Sequence, residues 1–241
     1  MSLSIHEGQV KTARYAALLL SLALAFFAAA CSDEPDADRF APTTSGTDGP
    51  PETQGPAEPV LIEGSGTEER TIALERPGPL VLDAEVSKGE RFRATIQSTR
   101  YRLIAFNGRG PFSAPTALPA PGPGPLDVAV ATDAEEWSLT ISQPTPEPSD
   151  TRIPGTVSGQ GSAVIPVQIP GSPPARLEVE HAGKGRFNAH VFPYEEYEQG
   201  LDLVTASGKI ERSIALTQPL QGSFLLSVRA DGAWTLRFLE R

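Results

Sequence analysis

The 241-residue chain is predicted to be all-β, with two tandem β-sandwich modules behind a signal peptide and a linker. Three observations predict this. First, one strand pattern occurs twice. Leu126-Asp127-Val128-Ala129-Val130, a turn at Asp133 and Trp137-Ser138-Leu139-Thr140-Ile141 correspond to Phe224-Leu225-Leu226-Ser227-Val228, a turn at Asp231-Gly232 and Trp234-Thr235-Leu236-Arg237-Phe238. Large apolar residues alternate with smaller or polar ones, the period-2 signature of a half-buried strand, and the turn between the runs predicts an antiparallel pair. Second, the resemblance between the halves extends well upstream of these runs. Third, Gly 22 and Pro 24 are both high, with the prolines clustered between apolar runs, and no stretch beyond the N-terminus carries a long helical spacing.

Residues 1–30 read as a signal peptide. Ala16 to Ala30 is an unbroken apolar or small run behind Lys11 and Arg14, shorter than the roughly twenty residues of a membrane span. It ends at Cys31, the single cysteine, so neither an intramolecular disulfide nor multi-cysteine zinc is available. Ala28-Ala29-Ala30-Cys31 resembles the lipobox of prokaryotic lipoproteins, with Ala28 where that family usually has leucine. The resemblance implies a cysteine diacylated on sulfur and acylated on its amine, which supplies the two lipid signals that stable anchoring needs. Ala28-x-Ala30 is also an ordinary signal-peptidase site, and an uncleaved anchor is the third reading. The lone cysteine at the edge of the apolar core favours lipidation, because an exported free thiol is reactive. Ahead of Lys11 the chain is polar and carries Glu7, so translation from Met1 and from the codon read as Val10 both stay open.

Residues 31–59 form an acidic linker after the lipidated cysteine. Asp33, Glu34, Asp36, Asp38, Asp48, Glu52 and Glu58 face one base, Arg39, and Phe40 is the only large apolar residue. Such a segment buries too little surface to offset its ordering entropy and is expected to be a disordered spacer.

The first module spans 60–143 and the second 153–241, joined by a Pro-rich stretch at 144–152. Gly64-x-Gly66 recurs as Gly159-x-Gly161. At the same offset of 95, Pro79, Leu82, Glu85, Arg91, Phe92 and Ala94 match Pro174, Leu177, Glu180, Arg186, Phe187 and Ala189. Leu103-Ile104-x-x-Asn107-Gly108-Arg109 aligns with Leu203-Val204-x-x-Ser207-Gly208-Lys209 at an offset of 100. Strands are predicted near 70–74, 80–86, 91–96, 101–106, 126–131 and 137–143. In the second module they fall near 163–169, 175–181, 186–192, 201–206, 210–216, 223–230 and 234–239. This order of Gly-x-Gly, Arg-Phe-x-Ala and Trp-x-Leu-x-apolar resembles the jelly-roll-like modules of secreted prokaryotic proteins of the pre-peptidase C-terminal type. The resemblance implies spacer or binding units and no catalytic residues.

Parity places Trp137, Trp234, Phe92 and Phe187 in the cores, and Arg91, Arg93, Arg186 and His190 on outer faces. His181 is expected at a core rim. The other histidines do not share its spacing, so no metal set is read, no cofactor is implied and no catalytic constellation is found. Two loops are surface candidates. Tyr194-Glu195-Glu196-Tyr197-Glu198 joins acidic and aromatic groups and is the candidate partner-binding loop, for a basic partner or a calcium ion, with a plain exposed acidic loop as the alternative. Gly108 to Pro125 reads as a Pro/Gly-rich connection with Phe112 exposed. The net charge of −10 argues against nucleic-acid partners and against docking on anionic lipid.

Together these features predict a cell-envelope lipoprotein, held to the membrane through palmitate-type lipid on Cys31 and facing outward from the cytoplasm. Its modules would serve as binding or accessory units for an envelope protein or glycan. A divergent envelope enzyme and a purely structural spacer are the alternatives, and a groove of convergent polar residues between the modules is what separates binding from spacing.

Overall fold

Alternating apolar residues run through both halves as far as their turns, and each run is a strand. The computed structural model describes residues 58–240 except 88, 90, 120, 147, 148, 150 and 195–199; residues 1–30, Cys31 and nearly all of the acidic linker lie outside the described residues. The first half contains β1 (Val60–Gly64), β2 (Glu68–Leu74), β3 (Leu80–Val86), β4 (Phe92–Gln97), β5 (Arg102–Gly108), β6 (Phe112–Leu118), β7 (Gly124–Thr132) and β8 (Trp137–Ser142). The second contains β9 (Gly155–Gln160), β10 (Ala163–Ile169), β11 (Arg176–His181), β12 (Arg186–Pro193), β13 (Leu201–Ser207), β14 (Ile210–Ala215), β15 (Gly222–Arg229) and β16 (Ala233–Leu239).

Each half folds as two four-stranded antiparallel sheets facing one another. The orders are β1-β8-β3-β6 over β2-β7-β4-β5, then β9-β16-β11-β14 over β10-β15-β12-β13. Raising every label in the first half by eight produces the second, so the two halves share one topology. β1 pairs with β8, β2 with β7, β3 with β6 and β4 with β5, which is one long hairpin bent over on itself. That is the eight-stranded jelly roll.

The two cores are separate. In the first half Leu80, Leu82, Phe92, Ile96, Leu126, Trp137 and Leu139 lie between the sheets; in the second Leu177, Phe187, Val191, Leu226, Trp234, Leu236 and Phe238 do. Fully burying one such side chain contributes about 1.5–3 kcal/mol. With no disulfide available, these interiors carry the stability of the fold.

Four sequence expectations change. The runs on either side of Asp133 do not pair with each other: β7 and β8 belong to opposite sheets, as do β15 and β16. Alternation fixes which face of a strand is buried, and a sandwich lets two consecutive strands bury their faces from opposite sides of one core. Each half has eight strands rather than six or seven, because β1, β9 and β6 were not anticipated. The stretch from Gly108 to Pro125 contains β6, in which Phe112 is half-buried with its ring edge-on to Phe92 at 5.5 Å. Pro115 is tolerated there because β6 is an edge strand, paired on one side only. Finally, the β5–β13 correspondence has an offset of 98. Phe92 pairs with Gly108 and Phe187 with Ala206, so Leu103 matches Leu201 and Ile104 matches Asp202. Both ladders shift register at the equivalent place, after Ala94 and after Ala189.

The Gly-x-Gly motif has a mechanical purpose. At Gly64 an added Cβ would lie 2.6 Å from the Trp137 ring, and at Gly159 it would lie 2.5 Å from the Trp234 ring. The second glycines, Gly66 and Gly161, sit in the left-handed region at φ of 69° and 70°. Their carbonyls accept the indole N–H of Trp137 and Trp234. One glycine makes room for the ring and the other turns the chain so that its carbonyl meets the ring's single donor.

Candidate functional site

The described residues belong to one compact unit, and within it β6 of the first sandwich packs on the outer face of the β10-β15-β12-β13 sheet of the second. Register defines that face. Val164 and Pro166 on β10 stand opposite Ser227 and Leu225 on β15, which stand opposite His190 and Phe192 on β12. Ala117, Phe192 and Leu225 form a small apolar cluster of their own, with Val81, Val164 and Tyr194 packed against it. The backbone N–H of Ala117 donates to Ser227 Oγ at 3.1 Å, a buried bond across the junction.

In the first sandwich the equivalent face is polar. By the same registers Glu69, Thr71, Asp127 and Gln97 occupy the places of Val164, Pro166, Leu225 and Phe192. All four are exposed, and Thr71 donates to Asp127 there at 2.7 Å. The repeats therefore diverge where one face is covered and the other meets water.

Beside the apolar cluster the junction opens into a groove of about 330 Å³. Tyr101, Ile104, Leu118 and Pro119 line it from the first sandwich, and Asn188, His190, Asp202 and Arg229 from the second. Ile104 is 47% exposed, one of three large apolar side chains left exposed among the described residues. Tyr101 donates its hydroxyl proton to the Pro119 carbonyl at 2.6 Å, and burial pushes its pKa up from the usual phenol value. His190 Nδ1 lies 2.5 Å from Asp202 Oδ1, and its ring stacks on Phe192 at 21°. Arg229 is half-buried; burial first, and the nearby Arg186 guanidinium second, push its pKa down from the usual arginine range.

A wider depression of about 720 Å³ lies on the first sandwich, lined by Glu63, Glu85, Glu136, Phe112 and Trp137. Its carboxylates form no metal-holding group among the described residues.

His181 lies deeper than the core rim where the sequence places it: its side chain is 0% exposed. Nδ1 is 2.9 Å from the Gly208 carbonyl, the ring sits 4.8 Å from that of Phe187, and Nε2 is 3.2 Å from Asp231 Oδ1, off hydrogen-bond alignment. Val86 holds the equivalent position in the first sandwich, since Val86 pairs with Trp137 as His181 pairs with Trp234. Asp231 accepts the backbone N–H groups of Gly185 at 2.7 Å and Lys184 at 3.0 Å. The arrangement closes a loop beside the tryptophan.

Of the candidate loop, Tyr194 follows β12, is half-buried against the junction cluster, and donates its N–H to the Ser223 carbonyl at 3.3 Å. Glu195, Glu196, Tyr197 and Glu198 lie outside the described residues, as does Cys31. His190 points outward from its own core as parity requires, but the first sandwich faces it. Sequence reasoning missed the groove because its walls come from strands far apart in the chain. Phe192 and Leu225, apolar at outward parity in a sheet, were the available signal.

No known family and no curated protein matches the chain. Among solved structures it has a distant likeness to oxalate decarboxylase. The Bacillus subtilis enzyme at pH 4.6 matches at a TM-score of 0.19 and 11% identity, over 75% of this chain and 72% of that one. An oxalate decarboxylase studied for substrate binding and a reaction-specificity switch matches at 0.18 and 10%, over 73% and 69%. At these scores the likeness carries no inference for this chain.

Proposed function

We propose that the chain is a cell-envelope lipoprotein, anchored through lipid on Cys31, whose paired jelly rolls present a binding groove to an envelope component outside the cytoplasm. The observation that carries the binding reading is the groove at the junction, where two sandwiches contribute convergent polar groups and an exposed Ile104 to one concavity. A purely structural spacer has no use for a concavity of that kind. The resemblance to modules that accompany other activities supports the same reading, and the short apolar run ending at Cys31 supports the anchor.

Two experiments test it. Cys31→Ser is expected to abolish incorporation of labelled palmitate and to leave an uncleaved or released product; unchanged labelling contradicts the anchor. A photo-crosslinking residue at position 104, in cells, is expected to give a discrete adduct that the same residue at Glu69 does not. Equal labelling from both positions contradicts a binding groove.

A further inference from the structure

The groove contains a cation, Arg229, that no described carboxylate neutralises. Arg229 stands on the outer face of its sheet, directly across from Asn188. Among the described residues no carboxylate forms an ion pair or hydrogen bond with it. Asp202, the one acid lining the groove among the described residues, is held by His190 at 2.5 Å. Arg186, two residues before Asn188 on the same strand face, adds a second positive charge rather than a compensating negative one. Nor are the polar groups beside it internally satisfied: Asn188 Oδ1 is buried without a hydrogen-bond donor among the described residues.

Removing a guanidinium from water without a counter-charge is unfavourable. In a chain of net charge −10 an acid could readily have stood opposite. The arrangement is also specific to the second sandwich, because the residues equivalent to Asn188 and Arg229 are Arg93 and Ala131. The first sandwich carries its guanidinium on the neighbouring strand instead, as the exposed Arg93, whereas Arg229 is half-buried at the junction.

We infer that the groove binds an oxyanion carried on a compact organic body, with the Arg229 fork as its anchor and Tyr101, Ile104 and Leu118 covering its carbon skeleton. A planar guanidinium offers two parallel N–H donors that match a carboxylate or a phosphate. The volume of about 330 Å³ is at the small end for ligand sites, suiting a single sugar acid or the charged end of a longer chain. This rests on the groove being a binding site and names the chemistry it would take.

The test is calorimetric titration of the detergent-solubilised full chain with galacturonate, with inorganic phosphate, and with galactose as the neutral control. Saturable galacturonate binding is expected. It should weaken at least about tenfold in Arg229→Gln, since loss of one partner of a desolvated charge pair costs that much or more. Thermal melting of Arg229→Gln reports whether the variant folds. Asn188→Asp supplies a carboxylate from within the protein and is expected to lose galacturonate binding while melting no lower than the parent chain. Phosphate binding that depends on Arg229 keeps the oxyanion site and assigns phosphate as its source. Binding of neither anion, equal binding of galactose, or binding unaltered by Arg229→Gln overturns the inference. If position 104 still crosslinks when no anion binds, the anion chemistry is wrong and the groove stands; loss of both removes the binding reading altogether.

Discussion

Trp234 donates its indole N–H to the carbonyl of Gly161 at 2.8 Å, and Trp137 does the same to Gly66 at 2.9 Å. The two bonds span equivalent strands of two sandwiches and fix the same turn against the same ring. Each ring in turn presses on the preceding glycine of its motif, Gly159 or Gly64.

This geometry separates the two glycines experimentally. Gly159→Ala places a methyl 2.5 Å from the Trp234 ring, so ring or strand must shift, and overpacking of that kind costs about 1–3 kcal/mol. At Gly161 nothing lies within 4 Å of an added Cβ, and the penalty is the left-handed backbone alone, about 1–2 kcal/mol. Chemical denaturation followed by fluorescence in a Trp137→Phe background should show lower stability for both variants. Only Gly159→Ala should alter the native Trp234 emission. Equal native spectra for the two would contradict the contact.

The loop carboxylate beside this tryptophan should make the second sandwich acid-sensitive. Asp231 is held below the ordinary aspartate value chiefly by the Gly185 N–H, with the Lys184 N–H and His181 acting in the same direction and partial desolvation against them. A depressed folded pKa contributes stability that is fully present above the unfolded value of about 4 and is lost as pH falls through the folded value. Denaturant midpoints measured from pH 6 down to pH 2 should therefore fall, and Asp231→Asn should flatten the fall while lowering the midpoint at neutral pH. A variant with the parent chain's full acid dependence would show that Asp231 is not the responsible group.

How far the sequence could be read follows from what each residue reports. Trp137, Trp234, Phe92 and Phe187 were placed in the cores by parity alone, because a half-buried strand shows its inner face in its spelling. Strand partners were not legible. The Trp-bearing runs read as hairpins, yet β7 and β8 bury their faces from opposite sheets, and no local pattern distinguishes the two arrangements. β6 escaped notice because Pro115 and its small neighbours spell a loop, although an edge strand accepts them. The groove was illegible for a different reason. Tyr101 and Arg229 line one groove only because one sandwich docks on the other, and repeat matching finds what the halves share, whereas Arg229 and Ala131 are where they differ.

Tyr101 gives the groove a high-pH signature. Its hydroxyl bonds to the Pro119 carbonyl, and burial raises its folded pKa above the ordinary phenol value of about 10. For a neutral acid with a raised pKa, the contribution to stability is complete below the unfolded value and is lost as pH climbs above it toward the folded one. Absorbance at 295 nm should then show one tyrosine ionising only when the protein unfolds, and that step should be missing in Tyr101→Phe. At neutral pH the same substitution should cost about 0.5–1.5 kcal/mol for the lost hydrogen bond. Tyr101 ionising in the native protein together with the other tyrosines would refute the burial.

The junction itself is testable through Leu225, which is 1% exposed yet points away from the core of its own sandwich. It meets Ala117 and Phe192 instead, so its burial exists only while the two sandwiches are docked. Leu225→Ala removes buried methyl groups from that contact and should weaken docking by about 2 kcal/mol. Ser227→Ala leaves the Ala117 N–H without its acceptor, at about 1–3 kcal/mol. Neither change touches the Trp137 or Trp234 environment, so near-ultraviolet circular dichroism should be preserved in both. The double variant should loosen the pair, seen as a larger radius of gyration by small-angle scattering and faster hydrogen exchange at Ala117. Unchanged exchange at Ala117 in the double variant would mean that the sandwiches are held together by something other than this face.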